Sequence, residues 1–107
     1  MSGDTNNLIT VKAKIRLHSR GGRKAGIVSG YRPEHVFEYL HGDTIKANFM
    51  GQIDFEYDEI KRGEDKIVTV KFINTETVRE YLTVGRTWWL YEGARQVGEG
   101  KIIEIVE

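Results

Sequence analysis

The sequence predicts an all-β domain, a closed antiparallel barrel or a sandwich, on three observations. Apolar residues recur at every second position in several short runs, the period of a strand with one buried face. Glycine makes up 12 of 107 residues, above the usual share of about 7%, and falls between those runs, where turns and bulges need it. Turn signals punctuate the chain at Gly21-Gly22, Gly42-Asp43, Arg62-Gly63-Glu64-Asp65, Val84-Gly85 and Glu92-Gly93. Six or seven short strands separated in this way favour closure, because an open sheet leaves edges that invite aggregation.

The first run extends from Leu8 to His18, with Ile9, Val11, Ala13, Ile15 and Leu17 on one face and Thr10, Lys12, Lys14, Arg16 and His18 on the other. It predicts a half-buried strand with a basic outer face. Pro33, the only proline, restricts Arg32 before it to extended backbone and sets a bend between strands. Alternation returns at Ile45, Ala47 and Phe49, at Ile53, Phe55 and Tyr57, and at Val68, Val70 and Phe72. Asn74 to Leu82 is the one stretch compatible with a short helix, and equally with a loop. Trp88-Trp89-Leu90-Tyr91 is an apolar run too short for a helix, and a last strand is expected from Gln96 to Val106, with bulges or corners at Gly98 and Gly100. Residues 1–7 are expected to be a flexible start and 8–107 a single β-barrel domain.

The total charge is zero, sixteen basic against sixteen acidic residues, which removes the global field of a generic nucleic-acid or membrane binder. The distribution is uneven: through residue 35 seven basic residues face two acidic ones, and the remainder holds nine against fourteen. Lys12, Lys14, Arg16, Arg20, Arg23 and Lys24 are therefore candidates for a local polyanion site, against the alternative that they only solvate and protect a strand. The Gly21-Gly22 pair permits positive φ and a nest of N–H groups suited to phosphate, although a plain hairpin turn explains it equally well. Without cysteine there is no disulfide framework, thiolate cage or Cys nucleophile. No run approaches the roughly 18 apolar residues of a membrane span and the polar start is no signal peptide, so a cytoplasmic location is expected.

Catalytic motifs are lacking. His18, His35 and His41 have no metal-ligand spacing and are expected at the surface or in turns, so no metal or cofactor is expected. No nucleophile elbow and no Walker phosphate loop occurs, and Asp54, Glu56 and Asp58 alternate with Ile53, Phe55 and Tyr57 onto a solvated face. The expectation is a protein that is not an enzyme.

Three ordered motifs resemble a known family. Gly21-Gly22-Arg23, then Gly30-Tyr31-Arg32-Pro33 with Phe37 beyond, then Glu92-Gly93-Ala94-Arg95-Gln96-Val97-Gly98-Glu99-Gly100 before a hydrophobic strand are similar to the C-terminal (third) domain of elongation factor Tu, over Leu8 to the end. The resemblance implies a six-stranded closed antiparallel, Greek-key-like barrel. In that family the domain holds the T-stem backbone of aminoacyl-tRNA and docks on the GTPase domain and the exchange factor. Arg23 matches a family arginine near the tRNA backbone, and Lys24 stands where a histidine makes a similar contact. Glu34 replaces a glutamine that touches tRNA, and its charge would repel phosphate. Tyr91 replaces an arginine, Ala94 a glycine, and Asn74-Thr75 a His-Pro pair in a loop that is longer here. The expected role is that of a stand-alone barrel binding tRNA or other RNA backbone with little base readout.

The rival expectation is a protein-interaction module docking a GTPase or another protein, through Trp88, Trp89 and Tyr91. Neighbouring strand residues face opposite ways, so Trp88 and Trp89 cannot both enter one core. The other is expected at the surface, as a docking residue, or packed under the 74–85 loop.

Overall fold

A computed structural model describes residues 7–42 and 44–106. The chain forms β1 (Leu8–Leu17), β2 (Glu34–Tyr39), β3 (Ile45–Asp54), β4 (Asp65–Ile73), the one-turn helix α1 (Glu76–Arg79), β5 (Thr87–Glu92) and β6 (Arg95–Ile105). The strands close into an antiparallel barrel in the order β1-β4-β3-β2-β5-β6. Within it β2, β3 and β4 form a meander and β1 returns beside β4, the Greek-key arrangement. Apart from Asn7, whose carbonyl accepts from the Asn74 N–H at 2.6 Å, the expected flexible start lies outside the described residues, as does Asp43.

Alternation in β1 becomes burial: Val11, Ala13, Ile15 and Leu17 fill the barrel while Lys12, Lys14 and Arg16 face solvent. The pieces expected around Phe49 and Ile53 are one strand, because Gly51 keeps them in phase. Gly51 is glycine for lack of room, since a Cβ there would stand 2.9 Å from the rings of both His35 and Phe72. Past Asp54 the alternation stops describing a strand. The chain turns away, with the Phe55 N–H donating to Ser29 Oγ at 2.9 Å and Glu56 and Asp58 exposed.

The segment compatible with helix or loop is both. Thr75 Oγ1 accepts from the Val78 N–H at 3.1 Å to cap α1. Val78 and Leu82 then close one end of the core. β2 carries no alternation, since His35, Val36 and Phe37 are all buried. His35 and Phe37 point into the barrel, where Phe37 stacks on Trp88 at 5.3 Å, whereas Val36 lies outside the core cluster, paired with Trp89.

His35 overturns the expectation of a surface or turn histidine. It is fully buried, edge-on to Phe72 at 4.9 Å. Its Nδ1 accepts from Trp88 Nε1–H at 3.0 Å, and Nε2, 3.1 Å from the Gly51 carbonyl, is then the donor. Burial lowers its pKa to about 4, with the Gly51 bond opposing that shift in part.

Candidate nucleic-acid interface

The connection from β1 to β2, residues 18–33, crosses one end of the barrel. His18 N–H still pairs with the Val97 carbonyl at 2.9 Å, Gly21 takes φ 75°, and Gly22 is buried where a Cβ would lie 3.2 Å from the Val97 carbonyl oxygen. The glycine pair is thus a tight turn pressed on β6. Further along, Ile27 and Ile60 exchange backbone hydrogen bonds of 3.0 and 2.9 Å, and Tyr31 bridges to Ile53.

Arg23 is the clasp of this connection. Its guanidinium donates to the carbonyls of Ala25 at 3.2 Å and Gly26 at 3.1 Å, pairs with the Glu92 carboxylate, and lies over the Tyr31 ring at 5.0 Å. Tyr31 Oη–H donates to the same Glu92 oxygen. Burial opposes ionisation of Glu92, but the bonds from Tyr31 and Arg23 outweigh it and hold the carboxyl below its usual range. Burial and then the Glu92 bond push the Tyr31 hydroxyl well up. Arg23 is consumed in holding the loop and is not the open phosphate ligand that its motif suggests.

Two arginines far away in sequence converge on the same turn. Arg62 donates to the Arg23 carbonyl at 3.3 Å and Arg95 to the Gly22 carbonyl at 3.4 Å. A carbonyl partner leaves the guanidinium charge in place. Arg20 and Lys24 are exposed on the turn itself, and among the described residues none of these four cations forms a salt bridge. Acids stand close by: Glu92, paired with Arg23 and also acting electrostatically on Arg95, Glu59, whose Oε2 borders Gly26, and Glu64, whose carboxylate accepts from the Lys61 N–H in the turn that carries Arg62.

The basic face of β1 is largely neutralised. Asp65 takes Arg16 in a two-pronged pair at 2.7 and 3.0 Å, which lowers the Asp65 carboxyl and raises Arg16. Glu104 takes Lys12 at 3.7 Å. Among the described residues Lys14 forms no salt bridge, and it stands directly across from Lys101 of β6. Of the six cations singled out from sequence, Arg20 and Lys24 share the turn, Lys14 stands apart on the wall, and Lys12, Arg16 and Arg23 are held by acids. The sequence signal missed Arg62, Arg95 and Lys101, because they lie in the acidic remainder of the chain and only strand pairing brings them to the basic third.

Trp88 is corrected as an interface residue. It is fully buried against Phe37 and His35, above Gly100, where a Cβ would come within 2.8 Å of the indole. Trp89 and Tyr91 are half-buried on the outer face. Tyr39 leans on Trp89 at 5.3 Å and its hydroxyl meets that of Tyr91 at 2.7 Å. A groove of about 420 Å³ lies beside them, lined by Ile45, Tyr91, Ala94 and Gln96.

Among the described residues no group of three His, Cys, Asp or Glu side chains is placed to hold a metal ion, and no helix is long and apolar enough to cross a membrane. No protein-family model matches the chain.

Proposed function

We propose that the chain is a non-enzymatic barrel of the elongation factor Tu third-domain type that holds RNA backbone, with tRNA as its first ligand to test, on the Gly21-Gly22 end. One observation carries this: Arg20, Lys24, Arg62 and Arg95 crowd one glycine turn without a salt bridge among the described residues, while neighbouring cations are matched by acids. Mutually repelling cations at an exposed turn are stabilised by an anion, and guanidinium groups fit phosphate oxygens. The ordered Gly-Gly-Arg and Gly-Tyr-Arg-Pro motifs support the barrel type, with Arg23 and Tyr31 holding the loop where the four cations meet.

Phosphate binding of this kind releases counterions, so affinity falls steeply with salt. Fluorescence anisotropy with tRNA across a salt series tests it. Arg62→Ala with Arg95→Ala is expected to weaken binding and flatten the log–log salt dependence by about 2, at roughly 0.9 per phosphate contact. Absence of tRNA binding at low salt, or an unchanged slope in the double variant, refutes the proposal.

A second reading, docking of a GTPase or other protein, is favoured by the outer aromatic group of Trp89, Tyr91 and Tyr39 beside its groove. Recovery of a partner from cell extract separates the two: a ribonuclease-sensitive complex supports RNA, a nuclease-resistant one supports the protein partner.

A further inference from the structure

Strand register sets two lysines and a tryptophan on one outer wall. Lys14 of β1 lies directly across from Lys101 of β6, and Lys101 directly across from Thr87 of β5. Like charges at opposed positions of adjacent strands destabilise a sheet, and these two form no salt bridge among the described residues. The acid beside Lys14, Asp65, is already held by Arg16. A groove of about 300 Å³ opens here, lined by Lys14, Arg16, Asp65, Thr87, Glu99 and Lys101 among others. Two residues further along β5 on the same face stands Trp89, half-buried, braced by Tyr39 and paired with Glu99.

We infer that this wall takes one unpaired nucleotide of a bound RNA, its phosphate between Lys14 and Lys101 and its base on the exposed side of the Trp89 indole. The inference rests on the RNA reading and adds a preference for single-stranded over duplex RNA at a place distinct from the glycine turn. Lys101 and Trp89 are diagonal neighbours across the β5–β6 pair, a separation of about 7–8 Å. That suits the reach from phosphate to base within one nucleotide. Every base has a face that stacks on an aromatic ring, so the site reads strandedness and not sequence. Glu99 stands in the row of the indole, directly between Arg16 and Trp89, where a carboxylate repels phosphate and accepts from a ribose hydroxyl, which keeps the phosphate in the lysine row and fixes the orientation. The wall joins the glycine turn along β1, the four residues from Lys14 to His18 covering about 13 Å at 3.3 Å per residue.

The test is a titration of the full chain at low salt with a 12-nucleotide oligouridine and with an RNA duplex of equal length, read by tryptophan fluorescence and by anisotropy. The single strand is expected to quench Trp89 emission and the duplex is not. Trp89→Leu should weaken single-strand binding about fivefold or more, in line with loss of one stacked base. Trp89→Phe should keep the affinity while losing the quench, which separates stacking from damage to the fold. Lys14→Ala with Lys101→Ala should weaken the single strand and spare the duplex. Equal binding of both RNAs, untouched by Trp89→Leu, overturns this inference and leaves the glycine-turn site standing. If neither RNA binds at low salt, both are overturned.

Discussion

Lowering the pH from about 8 to about 5 is expected to destabilise this barrel through a single side chain, His35. The ring sits with no exposure, Nδ1 already accepting from Trp88 and Nε2 donating to Gly51, so neutral imidazole satisfies both neighbours. A second ring proton would face the Trp88 N–H, with no acceptor in reach. Burial therefore holds the pKa at about 4. The unfolded chain titrates near 6.5, and between the two values it binds a proton that the folded protein does not. Stability is then fully present above the unfolded pKa and falls as pH drops through the window, down to the folded value. A difference of roughly 2.5 pKa units corresponds to about 3 kcal/mol, of which about 2 kcal/mol is lost by pH 5. Against the roughly 5–15 kcal/mol of a small domain this is a large share. Urea denaturation followed by tryptophan fluorescence at both pH values measures it, with His35→Gln as the control that cannot titrate. The variant should be less stable at pH 8 and should show a flatter response to acid. Equal loss in wild type and variant, or no loss in wild type, refutes the argument.

Two other perturbations address the loop that carries the glycine turn. Gly26→Ala places a Cβ 2.4 Å from the Ile60 carbonyl oxygen, a backbone atom that cannot step aside without breaking the Ile27–Ile60 bridge. It should cost about 1–3 kcal/mol by urea denaturation and expose residues 18–33 to limited proteolysis; wild-type resistance would count against the clamp. Tyr31→Phe removes one bond to Glu92 and should cost about 1 kcal/mol, while Arg23→Ala removes the ion pair as well and should cost more. Reversal of that order in urea midpoints would show that Arg23 is not the clasp.

Much of the fold is legible in the residues because strand alternation is a local property. The inward set of β1, the opposed directions of Trp88 and Trp89 and the glycine-marked turns all follow from the order of neighbours. β2 escaped because His35, Val36 and Phe37 are buried on both sides of the sheet, Phe37 inside and Val36 under the outer aromatic face, and double burial erases a period of two. The runs at 45–49 and at Ile53 read as separate because Gly51, which has no side chain, leaves a gap in the apolar pattern of an unbroken strand.

The candidate site was legible only in part. Composition located an excess of cations in the first third of the chain, and the glycine pair located a turn. Which charges remain open depends on partners 49 to 87 positions away, Asp65 for Arg16, Glu92 for Arg23 and Lys101 beside Lys14, and on Arg62 and Arg95 arriving at the turn. Counting charge along the chain cannot anticipate those meetings.

By itself the amino-acid order determined that this protein is built of short strands, where its turns fall, and which residues of β1 are apolar inside and basic outside. Only the closed barrel decided which tryptophan enters the core, which histidine loses contact with water, and which cations stay unmatched. The reason is that alternation and turn preference act between residues a few positions apart. Burial and ion pairing act through space, and space is arranged by strand register.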